Sequence, residues 1–188
     1  SKTNLEHQSH GAERTMKPQL GDTILNRYTL VSSLREEPGI QAWKANDRVL
    51  AKDCQLFIIT DRSAFAAIDK LAGRIAATRP DRVIPVLKYR MESDVLLIVM
   101  PVDSGQCLTD YMVDTDKPLS YSAIRSIIGE CANVLREVIA DTPSGIVITT
   151  DTVRVTTSGV QIADAPCATM LADTSATDLR TDGPERYA

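Results

Sequence analysis

The chain has 188 residues, 43% of them hydrophobic and 24% charged, with a net charge of −4 at neutral pH. That is room for one core of ordinary size, and an acidic balance with no strongly basic stretch argues against a nucleic-acid binder. The longest apolar run, Val95 to Met100, is far too short to cross a bilayer, and no charged-then-apolar leader opens the sequence, so no signal peptide is expected.

Residues 1–20 are polar, mixed in charge and without apolar periodicity, as in a flexible tail. The stretch Arg27–Leu34 predicts a strand. A second is expected over Ile40–Asn46 after the Pro38-Gly39 turn signal, and a third over Cys54–Thr60, whose nearly continuous apolar run suits a buried strand. Ser63–Thr78 predicts a helix. Its Phe65, Ile68, Leu71, Ala72 and Ile75 share one face, Asp61 or Ser63 can cap its start, and Pro80 bars continuation.

Two strands are expected near Arg82–Tyr89 and Asp94–Met100, joined by a turn around Glu92-Ser93, and then a short helix over Leu108–Val113. The strongest periodicity is Ser120–Ala140. There Ile124, Ile127, Ile128, Cys131, Val134, Leu135, Val138 and Ile139 form a broad apolar stripe that Asp141, Pro143 and Gly145 end. Short strands follow at Ile146–Thr149, Val153–Thr156 and Val160–Ala163, and beyond Pro166 the pattern dissolves into small and polar residues. The core should therefore hold Leu56, Phe57, Ile58, Phe65, Ile68, Leu71, Val99, Ile127, Cys131, Val134 and Leu135.

The four cysteines, Cys54, Cys107, Cys131 and Cys167, have neither metal nor redox spacing and read as buried or half-buried free thiols. Both histidines, His7 and His10, fall in the leading tail. The folded part thus has no imidazole for Ser-His or Cys-His chemistry, and a zinc site is not expected.

The order of three strands, a helix, two strands, a linker, a short helix, a long helix and short strands resembles a protein kinase. The residues of Arg27–Asp47, RYTLVSSLREEPGIQAWKAND, lie without a gap on the opening strands and glycine-rich loop of bacterial serine/threonine kinases. The resemblance puts that family's three loop glycines on Arg35, Glu37 and Ile40, where bulky side chains block the approach of nucleotide phosphates. Glu36 and Glu37 would add negative charge there. Gly39 reads as a hairpin residue.

In the same frame the phosphate-binding lysine falls on Phe57 and its glutamate partner on Lys70; Lys44 is a remote candidate for a displaced lysine. Val99–Leu108 is similar to the hinge and the start of the next helix, with Pro101 removing a backbone donor. The catalytic loop reads Gly145-Ile146-Val147-Ile148-Thr149-Thr150-Asp151-Thr152 and is shortened. No counterpart of the catalytic aspartate or metal-binding asparagine is found before Thr152, and Asp151 reads as a solvated turn residue. Asp164-Ala165-Pro166 stands in place of Asp-Phe-Gly, so Asp164 is the one retained carboxylate, and alone it does not hold Mg²⁺.

Among kinase-like domains the chain is most similar to the cytoplasmic pseudokinase domain of actinobacterial MviN/MurJ lipid II flippases. The residues that carry this are Arg27-Tyr28, Ser122-Ala123-Ile124-Arg125, Val153-Arg154-Val155 and Ala165-Pro166, within roughly Gly21 to Met170. The resemblance implies an α+β, kinase-like fold. A five-stranded antiparallel small lobe with one helix is expected over residues 21–102, and a partial, mainly helical large lobe over 103–188. It further implies no cofactor, no metal and no catalysis, in a cytosolic module tied to a membrane only through a parent protein. The implied partners are an active serine/threonine kinase and a forkhead-associated (FHA) domain protein that docks on a phosphothreonine. Thr174, Thr177 and Thr181 lie in the segment beyond the core, where bland linker residues are the simpler reading. The competing readings are a divergent kinase with weak ATP binding and an unrelated α+β binding domain. The last would be favoured if Phe57 lay off the central strands.

Overall fold

The computed structural model describes residues 17–92, 94–103, 105–114, 119–139 and 148–171. Its first lobe is one antiparallel sheet of β1 (Thr23–Ile24), β2 (Tyr28–Glu37), β3 (Ile40–Asp47), β4 (Lys52–Ile59), β5 (Lys88–Glu92) and β6 (Val95–Pro101), in the order β1-β2-β3-β4-β6-β5. The expected five strands are thus six. The extra one is an edge strand of two residues, joined to β2 through Leu25 and Asn26, both with φ 53. Leucine seldom takes that conformation, so composition gives no turn signal there.

Alternation along the strands divides two cores. Tyr28, Leu30, Trp43, Ala45, Cys54, Leu56, Ile58, Leu97 and Val99 form the outer one. The inner one includes Ile40, Ala42, Phe57, Ile59, Leu96, Ile98 and Met100, under helix α1 (Arg62–Thr78) and against the second lobe. Asp61 caps α1, accepting the Ser63 N–H at 3.0 Å, and Phe65, Ile68, Leu71, Ala72 and Ile75 are its buried residues, as the periodicity requires. At its end Arg79 turns left-handed (φ 45) and donates its N–H to the Ile75 carbonyl, ahead of Pro80.

One predicted strand is displaced. Arg82–Leu87 is not a strand, because Pro85 has no N–H to give a ladder; β5 starts only at Lys88. Instead Val83 makes an isolated parallel bridge with Ile162, in which Ile84 donates to the Ile162 carbonyl (2.8 Å) and Ile162 to the Arg82 carbonyl (2.6 Å). This bridge joins the lobes.

The second lobe holds a three-stranded sheet, β7 (Gln106–Cys107), β8 (Val153–Thr156) and β9 (Gly159–Ile162), in the order β7-β8-β9, with helices α2 (Leu108–Asp114) and α3 (Tyr121–Ile139). The apolar stripe expected on α3 is only partly covered. Cys131 and Val134 are buried and Ile127 packs partly, but Ile124 and Ile128 are 40% and 43% exposed. The side chains of Leu135, Val138 and Ile139 lie outside the described residues, as do Ile146 and Val147 of the predicted strand Ile146–Thr149. The end of the described chain is also more ordered than its composition suggests. Ala165–Cys167 forms a 3-10 turn and Ala168–Leu171 a short helix, α4, and Ala165, Pro166, Cys167, Ala168 and Leu171 are all buried. Small side chains let this backbone approach α1 closely, so the lack of bulky apolar residues marks tight packing, not the end of the fold.

Candidate functional site

The cleft between the lobes opens under the inner face of the sheet. Phe57 sits on β4, an interior strand paired with Ala42 of β3 and Ile98 of β6, and is 1% exposed. Its ring lines a cavity shared with Arg154 of β8, so the sheet presents an apolar group there. Gln55, two residues earlier, points the same way and donates from Nε2 to Asp103 Oδ2 at 3.4 Å.

Across the cleft stands Arg154, the one charged residue of β8. Its Nε donates to Asp103 Oδ2 at 3.2 Å, its Nη1 donates to the Asp151 carbonyl, and its Nη2 lies 3.6 Å from Asp164 Oδ2. All three charged side chains are at most 15% exposed. Asp164 has a left-handed backbone (φ 57) and opens the 3-10 turn without capping it. Burial pushes its carboxyl above the usual carboxylate range; Arg154 pulls it back and Asp103 raises it again. A carboxylate already facing an internal guanidinium has a competing partner for any Mg²⁺.

The front of the cleft is strapped as well. Arg35 on β2 donates from Nη2 to the Leu171 carbonyl on α4 and from Nε to Glu37 Oε1 at 3.0 Å. What remains is a cavity of about 220 Å³ lined by Arg35, Phe57, Arg154, Asp164 and Leu171 among others. Sites for drug-sized ligands run to roughly 300–1,000 Å³, so this cavity is a small one.

The other residues singled out in the sequence fall as follows. Ile40 opens β3 and is buried beside Phe57 in the inner core. Glu37 pairs with Arg35 and Glu36 with Lys17, so the negative charge expected from these two glutamates is met by cations of the same chain. Lys70 is exposed on α1, away from the buried face that meets the sheet. Lys44 pairs with Asp53 at 3.6 Å near the far end of the strands. Thr152 is buried; its Oγ1 accepts the Thr149 N–H (2.9 Å) and donates to the Thr149 carbonyl (3.1 Å), which closes the turn before β8. Asp151 differs from the solvated turn residue expected: it is half-buried and accepts the Thr109 hydroxyl at 3.0 Å, tying the turn before β8 to α2. Gly39 has φ 80, as a hairpin glycine should, and accepts the N–H groups of Thr60 and Asp61 at the start of α1.

Two members of the site escape sequence reasoning. Arg154 lies on the expected strand Val153–Thr156 and Asp103 in the hinge-like segment Val99–Leu108, and neither carries a functional signal in the sequence. They lie 51 residues apart, and no local pattern brings them together.

No protein-family model matches the sequence, and no curated protein matches it. Solved structures do. The kinase domain of PknI from Mycobacterium tuberculosis, as a cysteine-to-alanine mutant, superposes with a TM-score of 0.66 at 16% identity, over 88% of this chain and 72% of that one. The unaltered PknI kinase domain gives 0.64 at 16% identity, and the apo form of PpkA-294 gives 0.63 at 12%; in both, 80% of this chain covers 62% of the other. The chain thus spans less than two thirds of those two domains. The likeness shows a protein-kinase-like fold.

Proposed function

We propose that this kinase-like domain is a pseudokinase, a non-catalytic interaction module whose nucleotide cleft is closed by its own side chains. The observation that carries the reading is the Asp103–Arg154–Asp164 network under Phe57. A kinase needs a cation turned to the phosphates and a carboxylate open to Mg²⁺ in this space; here the guanidinium and the carboxylate face each other. Positioning and charge neutralisation supply nearly all of phosphoryl-transfer catalysis, so a cleft without them has little to work with.

The test is thermal. ATP held at about 100 times its dissociation constant would stabilise the fold by about 2.7 kcal/mol, a melting shift on the order of 5–10 °C for a domain of this size. With millimolar Mg²⁺-ATP we expect no shift. A Mg²⁺-dependent shift that Asp164→Asn abolishes would overturn the reading. It would favour the competing one, a divergent kinase with weak ATP binding, which draws on Asp164 and on two guanidiniums at the cleft.

The biological setting rests on the sequence resemblance to the MviN/MurJ pseudokinase domains. In that reading the module acts in peptidoglycan synthesis, on the cytosolic side of a flippase, through an FHA-domain protein that reads a phosphothreonine. Thr174, Thr177 and Thr181 lie outside the described residues. A longer form of the chain, treated with an active serine/threonine kinase, should bind an FHA domain that ignores the untreated form, because the phosphate supplies the charge such a domain reads. Equal binding of both forms would leave a constitutive scaffold.

A further inference from the structure

The turn between β3 and β4 holds two of the most exposed large apolar side chains among the described residues, Val49 at 69% and Leu50 at 58%. The turn is built to keep them there. Asp47 Oδ1 accepts the N–H groups of Val49 (2.9 Å) and Leu50 (3.3 Å), and Ala51 (φ 53) completes the reversal. Asp47 is buried and fixed by two hydrogen bonds from Arg27, at 2.9 and 2.8 Å. A part-buried ion pair therefore holds two apolar side chains out in water, which the hydrophobic effect does not select in an isolated monomer.

The charges around this apex point to what meets it. Arg48 and Lys52 are exposed beside it, and Lys88 on β5 is half-buried across a groove of about 500 Å³ that Leu50, Lys52, Leu87 and Lys88 help to line. Leu87 is itself 52% exposed. None of these three cations is ion-paired among the described residues, while the nearby carboxylates are engaged: Asp47 with Arg27, and Asp53 with Lys44 and Asn46. On a chain of net charge −4 this is a local reversal of sign.

We propose that the β3–β4 turn docks on a membrane surface rich in anionic lipid. Val49 and Leu50 enter the boundary between headgroups and acyl chains, and Arg48, Lys52 and Lys88 face the phosphates. The shape favours a bilayer over an acidic peptide. Val49, the more exposed of the pair, stands at the tip of the turn rather than in the groove, with Arg48 and Lys52 close by in the same turn, the arrangement of an interfacial anchor. The proposal is independent of whether the cleft binds nucleotide.

The experiment is co-sedimentation of the 188-residue chain with phosphatidylcholine vesicles, with and without phosphatidylserine. Binding should require phosphatidylserine and weaken with salt. Arg48→Glu and Lys52→Glu should each lower it by roughly five-fold or more, the effect of about one cation at an anionic surface. The pair Val49→Ser and Leu50→Ser should lower it by about ten-fold or more, while Tyr121→Ser, an exposed apolar change on α3, should not alter it. Melting midpoints should hold in every variant, because the substituted side chains are exposed. Failure of the wild type to bind phosphatidylserine vesicles overturns the proposal, as does binding indifferent to Val49 and Leu50. Capture of a polyglutamate peptide without vesicle binding would assign the surface to an acidic protein instead.

Discussion

Arg154 Nη2 lies 3.6 Å from Asp164 Oδ2, so the retained carboxylate of the cleft is met by a cation from the neighbouring strand. The same guanidinium serves Asp103, and removing it strands two carboxylates that are at most 15% exposed. Arg154→Ala should therefore destabilise the protein by roughly 3 kcal/mol in urea denaturation. Adding Asp164→Asn to Arg154→Ala should recover part of that loss; strict additivity of the two changes would dissolve the network as a unit.

Asp164→Asn alone should stabilise. The folded carboxyl titrates above its unfolded value because burial dominates over Arg154, so its charge costs stability once the pH is above the ordinary carboxylate range. The advantage of the asparagine variant should be full near neutrality and vanish in acid, where the wild-type carboxyl is protonated in both states. A variant less stable than wild type at pH 7 would contradict this sign.

Asp47 should behave in the opposite way. Its hydrogen bonds from Arg27 hold the carboxyl down to about 2. The stabilisation is present above the ordinary carboxylate range and is lost as the pH falls toward that depressed value. Denaturation midpoints of wild type and Asp47→Asn should differ most near neutrality and converge in strong acid.

Truncating Phe57 to Ala should cost roughly 3–5 kcal/mol, because it opens a cavity between three strands and the second lobe. A loss below about 1 kcal/mol would mean that the site collapses around the gap.

The cysteines separate by burial. Burial pushes the thiols of Cys54 and Cys131 up to about 11 and that of Cys167 well above its usual value. Cys107 is half-buried, with its Sγ 3.3 Å from the Thr150 carbonyl. Iodoacetamide at pH 7.5 on the folded protein should label Cys107 ahead of the other three, and mass spectrometry of the digest would show any other order.

The sheet and α1 were legible because their signals are local. Phe65, Ile68, Leu71, Ala72 and Ile75 recur at helical spacing, Asp61 caps and Pro80 stops. The run from Cys54 to Ile59 suits a strand covered on both faces. Legibility fails where structure depends on distant partners. Pro85 turned an apolar stretch into a bridge with Ile162, and Ala165–Leu171 is ordered by packing that no periodicity records. Phe57 could be placed by register with a known pattern. Arg154 could not be read as a partner of two carboxylates, since only the fold sets it between Asp103 and Asp164.

The bridge between Val83 and Ile162 bears on how the molecule comes apart. Ile84 donates its N–H to the Ile162 carbonyl and Ile162 donates to the Arg82 carbonyl across the lobes, and Arg82 adds a bond from Nη1 to the Ser158 carbonyl at 3.2 Å. Swinging one lobe from the other would break these bonds and open the shared inner core along with them. The two halves are therefore one cooperative unit: the amides of Ile84 and Ile162 should exchange only with global unfolding, and heat should melt the domain in a single transition.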